Sequence, residues 1–174
     1  YAEGRAARKI LEEARESIAA DLGAEPVEVV FTSGGTEADN LGLRGLYLAS
    51  AAKSGVPGTV VTTPVEHDAI RKAAAHLAEH HGARVVEAPV DAAGRVSVDG
   101  LRELCADPAV ADAPPHAWTC QWANNEAGAI QPVGDFIAVA SDHGAPVHVD
   151  AVQAVGHVPV HFGKSGAATL AASA

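Results

Sequence analysis

The sequence predicts an α/β fold: a mostly parallel sheet flanked by helices. Two observations carry this expectation. Short β-branched runs alternate with segments of about ten to fifteen residues at helical spacing, the pattern of βαβ units. The residues suited to chemistry also collect in the loops that follow those runs, where parallel sheets bind ligands. At 174 residues and 48% hydrophobic content, the chain is one ordinary globular domain in size. Its 12 basic and 22 acidic residues give a net charge of −10, which argues against a nucleic-acid surface or a polybasic membrane anchor. No apolar run approaches the roughly 18 residues of a spanning helix. Cys105 and Cys120 form no CxxC pair, so a reducing, cytoplasmic setting is expected.

From the N-terminus, Ile10, Leu11, Ala14, Ile18 and Leu22 recur at helical spacing between charged residues, and Gly23 closes that amphipathic helix. Val27–Thr32 (VEVVFT) reads as a buried strand. Ser33-Gly34-Gly35-Thr36 breaks it, and helical spacing resumes from Thr36 to about Lys53. Thr59–Thr63 is the next strand, Ile70–His81 a helix ended by Gly82, and Arg84–Val90 a strand. Asp99 is placed to cap a short helix through Leu104, followed by a loop rich in Asp and Pro. Ala117–Trp122 reads as a strand, Val133–His143 as a helix, and Val147–Val149 as a strand delivering Asp150. The closing run GAATLAASA is a poor finish for a folded domain. With Tyr1 at the start, it suggests a fragment.

Four loop motifs stand out. Ser33-Gly34-Gly35-Thr36 joins a strand to a helix, so its small residues let backbone N–H groups approach an anion. It is neither a P-loop nor GxGxxG; the bland alternative is a turn with Thr36 as N-cap. In Glu66-His67-Asp68 the histidine is suited to stacking on a ring or moving protons, or the segment is simply a solvated helix start. Asn124-Asn125-Glu126 offers two amides for a polar ligand, or a turn. Asp150 ends a buried strand with no Lys or Arg nearby before Lys164. A buried carboxylate there needs a partner, and a protonated pyridine nitrogen is one; a metal or an N-cap role are the alternatives.

Together, Val29–Leu43 (VVFTSGGTEADNLGL), Thr63–Ile70 (TPVEHDAI), Ala123–Val133 (ANNEAGAIQPV) and His148–Val160 (HVDAVQAVGHVPV) resemble the cysteine desulfurases, pyridoxal-phosphate enzymes of the class V aminotransferase group. The resemblance covers nearly the whole chain. It implies a fold-type-I enzyme, with residues 1–174 forming part of its large, pyridoxal 5'-phosphate-binding domain. It also implies site roles. Gly35, Thr36 and Ser173 match the phosphate contacts. His67 matches the histidine stacked on the cofactor ring, which also serves as an acid/base group. Asn125 lies near the ring hydroxyl and substrate, Asp150 on the pyridine nitrogen, and Gln153 on the ring hydroxyl oxygen.

The implied activity is removal of sulfur from L-cysteine, giving L-alanine and an enzyme persulfide for sulfur transfer or iron–sulfur cluster assembly. A homodimer and a sulfur-acceptor or scaffold protein are the implied partners, with no metal, nucleic acid or membrane. The family's cofactor-linking lysine follows a serine at the position of Ser173 and would fall beyond Ala174. Its mobile cysteine, its carboxylate-binding arginine and its small C-terminal domain would lie farther on. Lys9, Lys53, Lys72 and Lys164 do not occupy the linking position, and Cys105 and Cys120 read as structural. This chain alone is therefore expected to show no turnover, which alanine production above a blank with free cofactor would contradict. Another class V enzyme, such as an aminotransferase or selenocysteine lyase, and a non-catalytic scaffold domain are the alternatives.

Overall fold

A computed structural model describes residues 1–173, the side chain of Ala109 excepted. The elements run α1 (Ala2–Leu22), α2 (Gly35–Ser54), β1 (Thr59–Thr62), α3 (Asp68–His81), β2 (Arg84–Glu87), α4 (Val98–Ala106) and α5 (Pro108–Ala111). They continue with β3 (Pro115–Gln121), α6 (Val133–Asp142), β4 (Val147–Asp150), α7 (Phe162–Ser165) and β5 (Thr169–Ala171). The five strands form one sheet in the order β2-β1-β3-β4-β5, and every pairing is parallel.

Both faces of the sheet are covered, and the central strands β1, β3 and β4 are buried along almost their whole length. Val60 and Ala117 pack with Leu43 and Tyr47 of α2 and with Ile70 and Leu77 of α3. Their neighbours Val61 and Trp118 turn to the opposite face, joining Val147, Val149, Leu101 of α4 and Phe136 of α6. The period of two along each strand thus sorts one sequence into two cores. The chain leaves β1 to one side for β2, while β3 lies on its other side. This reversal opens a crevice at the carboxyl ends of β1 and β3.

The Asp- and Pro-rich stretch after α4 is not all loop, since Pro108–Ala111 forms α5, and three further sequence expectations need correction. Val27–Thr32 is not a sheet strand: Pro26–Glu28 forms a 3-10 turn, closed by reciprocal Glu25 and Glu28 capping. The extended residues after it run beside α1, where the Arg15 guanidinium donates to the Val29 carbonyl and lies 4.9 Å from the Phe31 ring centroid. Val27 is 88% and Val30 66% exposed, and among the described residues no strand pairs with this segment to express its β propensity. Secondly, α4 is capped by Ser97, whose hydroxyl accepts from the Gly100 N–H, while Asp99 pairs with Arg102 on the helix surface. Thirdly, the alanine-rich end does enter the sheet. Thr169–Ala171 forms an edge strand on β4, and small side chains suffice where α2 packs over it.

The contact between α2 and β4 is close. His148 is buried, with its Nε2 3.2 Å from Asp39 Oδ1 on α2 and its Nδ1 2.9 Å from Thr169 Oγ1 on β5. A Cβ at Gly42 would stand 2.4 Å from His148 Nδ1. The ring is held from two sides and cannot swing away. Gly42→Ala is therefore expected to destabilise the fold, because overpacking costs about 1–3 kcal/mol and the bonds of His148 are lost in addition. The helix propensity gained by alanine recovers only about 1 kcal/mol. Chemical denaturation of the variant checks this; an unchanged or raised midpoint would contradict it.

Candidate cofactor site

The crevice holds a cavity of about 200 Å³. Four chain segments, each arriving at the carboxyl edge of the sheet, build it. The start of α2 contributes Gly35, Thr36 and Asp39; the start of α3 contributes His67. The end of β3 brings Gln121, Ala123 and Asn125, and the end of β4 brings Asp150, Val152 and Gln153. The structure thus brings together six of the seven residues singled out from sequence. Ser173 is apart: it lies exposed beyond β5 and is not among the cavity residues.

The α2 end is built to receive an anion. The N-cap is Gly34, not Thr36, and it offers no side-chain cap to the first-turn N–H groups of a 20-residue helix. Gly34 has φ 154° and ψ −179°, a conformation essentially reserved for glycine. A Cβ on Gly35 would stand 2.7 Å from Val152 Cγ2, so a side chain there would crowd the loop after β4.

His67 caps α3: its Nδ1 accepts from the Ala69 N–H at 3.2 Å. In the neutral ring this leaves the proton on Nε2, with the ring itself exposed at the cavity rim. Glu66, in contrast, is not part of a solvated helix start. It is 5% exposed, and burial pushes its carboxyl up to about 8. The two asparagines divide their work. Asn124 is a turn residue, with its Oδ1 accepting from the Glu126 and Ala127 N–H groups and its Nδ2 donating to the Val65 carbonyl. Asn125 is the one that faces the cavity.

Asp150 is 7% exposed, and its Oδ1 accepts from the Val152 N–H at 2.9 Å. Burial, and then the nearby Asp39 carboxylate, push its carboxyl above the ordinary aspartate range, against the pull of Val152, His148 and His67. No lysine or arginine is among the cavity residues. The floor of the site therefore lacks a cation. Among the described residues, no group of three or more His, Cys, Asp or Glu side chains is placed to hold a metal ion. Cys105 and Cys120 are buried, and burial pushes both thiols up, away from the reactive thiolate.

Sequence reasoning passed over Asp39 and Gln121. The signal for Asp39 was its place three residues after Thr36, on the same helix face. For Gln121 it was the strand-end position just before Asn124-Asn125.

The model of the aminotransferase class-V family matches residues 1–174. The chain belongs to the class-V aminotransferase family. Among class-V relatives, it is 44% identical to the IscS-like cysteine desulfurase of Mycobacterium tuberculosis, covering 98% of this chain and 42% of the relative. It is 36% identical to the cysteine desulfurase IscS of Dictyoglomus turgidum, covering 98% and 41% respectively. The solved structure of SspA in complex with cysteine superposes with a TM-score of 0.84 at 30% identity, covering 99% of this chain and 47% of that one. DndA from Streptomyces lividans gives 0.80 at 32% identity, covering 98% and 45%. The chain thus spans less than half the length of the relatives it matches. Among its described residues, no helix is long and apolar enough to cross a membrane.

Proposed function

We propose that this chain forms the pyridoxal-phosphate-binding part of a cysteine desulfurase, within the large domain of a fold-type-I enzyme. The observation that carries the reading is the buried, cation-lacking carboxylate of Asp150, facing a cavity whose rim is an uncapped helix N-terminus. The residues present fit the cofactor at its pyridine nitrogen, phosphate, ring face and ring hydroxyl. Asp150 is placed to hold a proton on the pyridine nitrogen. The first-turn N–H groups of α2 and the Thr36 hydroxyl suit the phosphate, as does the Ser173 hydroxyl by family resemblance. The His67 ring is available for stacking, and Asn125 and Gln153 offer amides to the ring hydroxyl oxygen.

Bound there, pyridoxal phosphate supplies an electron sink for charge developing at the α-carbon of an amino-acid substrate. The chain's own groups bind and tune it. Asp150 keeps the ring nitrogen protonated, which deepens that sink. The α2 terminus orients the phosphate without any side-chain cation. His67, its Nδ1 engaged by Ala69, keeps Nε2 to give or take a proton at the substrate.

Similarity to proteins named cysteine desulfurase supports L-cysteine as substrate, with L-alanine and an enzyme persulfide as products. It equally supports a homodimer and delivery of sulfur to an acceptor or scaffold protein for iron–sulfur assembly. The free, buried cysteines favour a cytoplasmic setting.

Titrating the purified chain with pyridoxal phosphate tests the reading: saturable binding is expected, and binding of pyridoxal without its phosphate is expected to be at least about tenfold weaker. Equal affinity for the two would contradict the assignment of the α2 terminus. Gly34→Ala forces a glycine-only conformation at a cost of about 1–3 kcal/mol. It is expected to weaken cofactor binding and lower the unfolding midpoint together.

A further inference from the structure

Glu66 is a buried ionisable group that the proposed chemistry does not use. Its Oε1 accepts from Thr63 Oγ1 at 2.8 Å and from the Gln121 N–H at 2.9 Å. Its Oε2 is buried with no hydrogen-bond partner. One carboxyl thereby joins the loop after β1 to the last residue of β3. The same joint is reinforced at Val65, whose carbonyl accepts from Gln121 Nε2 at 2.7 Å and Asn124 Nδ2 at 3.0 Å. The next residue along the chain is His67, and Asn125 follows Asn124. The two elements that carry these cavity residues are fastened to each other through Glu66.

We infer that Glu66 is a positioning residue of this site, its buried carboxyl fixing the turn that presents His67 to the cavity against the β3 end that presents Asn125. The inference rests on the cofactor reading above for its functional meaning, but the joint itself is independent of it. A solvated ion pair is not the working form of this clamp. Burial holds the proton on Glu66, and the charged groups that bear on it, Asp150 on β4 and Asp39 on α2, add to that effect. The Thr63 hydroxyl and Gln121 N–H oppose it, and the Cys120 thiol on β3, which also faces Glu66, is pushed up by burial first and by that carboxyl second.

The unfolded chain loses this proton near 4.5, whereas the folded chain keeps it to about 8. The stability Glu66 contributes relative to a non-ionising residue is full below pH 4.5, declines above it and is lost as pH rises through about 8.

The test compares Glu66→Ala and Glu66→Gln with the unsubstituted chain by amide hydrogen exchange, thermal unfolding across pH 4–9, and pyridoxal phosphate titration. Glu66→Ala is expected to speed exchange at Gln121 and Ala69 about tenfold or more, and to weaken cofactor binding about tenfold, with the other strands unchanged. Glu66→Gln keeps a carbonyl oxygen for both donors, so it is expected to restore both readouts and to lack the decline in stability between pH 4.5 and about 8. Unchanged exchange at Gln121 and Ala69 in Glu66→Ala would overturn the inference. If Glu66→Ala does not fold, a Glu66→Gln pH profile identical to that of the unsubstituted chain would overturn it instead. Failure of the unsubstituted chain to bind pyridoxal phosphate would count against the cofactor reading and leave the exchange result to decide the clamp.

Discussion

Replacing Asp150 with asparagine is expected to weaken pyridoxal phosphate binding by roughly ten- to a hundredfold, the equivalent of about 1.5–3 kcal/mol for a hydrogen bond to a charged group. The substitution keeps the shape of the side chain and an oxygen for the Val152 N–H, so the loop after β4 has no reason to move. It removes only the negative charge. In the ligand-free chain that charge is held against burial and against Asp39, and so the empty variant is expected to be no less stable than the parent at neutral pH. Loss of affinity without loss of stability separates a ligand-pairing carboxylate from an N-cap aspartate, whose removal costs stability first. Cofactor titration and thermal unfolding of the same preparation report both quantities. Undiminished affinity in Asp150→Asn would remove the main support for the site.

The second large effect belongs to the core. Phe136 is fully buried on α6, with its ring edge-on to Trp118 of β3 at a centroid distance of 5.7 Å. Phe136→Ala empties the centre of the cluster that joins α4 and α6 to β3 and β4, and is expected to cost about 3–5 kcal/mol. Because β3 and β4 carry Gln121 and Asp150, the loss should also weaken cofactor binding. Phe136→Leu, which refills most of the volume, should recover much of both. Denaturant unfolding checks the magnitude, and a cost below about 1 kcal/mol would mean that this face is not the packed core described here.

The sheet and its helices were legible because local and tertiary preferences agree there. Val60 and Val61 prefer strands and find partners on both sides; Leu43 and Tyr47 on α2, and Ile70, Ala73 and Leu77 on α3, recur at the spacing that a covering helix needs. Where the two preferences part, sequence alone misleads. VEVVFT carries every local mark of a strand, but Pro26 starts a 3-10 turn and the segment pairs with no strand among the described residues. TLA carries almost no mark and becomes a strand because β4 has an open edge for it.

The site shows the same division. Gly35, His67, Asn125 and Asp150 were visible through residue type and loop position. The burial of Glu66 was not, since a glutamate beside a histidine and an aspartate has the composition of a solvated helix start. Only the Gln121 N–H, distant in sequence, reveals it as an internal joint. Asp39 was hidden for a like reason, its partner His148 lying on another element.

In the proposed site, Asp150 pairs with the protonated ring nitrogen of pyridoxal phosphate. Nitrogen NMR of the chain saturated with cofactor labelled at the ring nitrogen tests it most directly. The ring nitrogen is expected to stay protonated well above the pH at which it deprotonates in free cofactor, and to lose that protection in Asp150→Asn. A ring nitrogen that titrates as in free cofactor, or protection that survives the substitution, would contradict it.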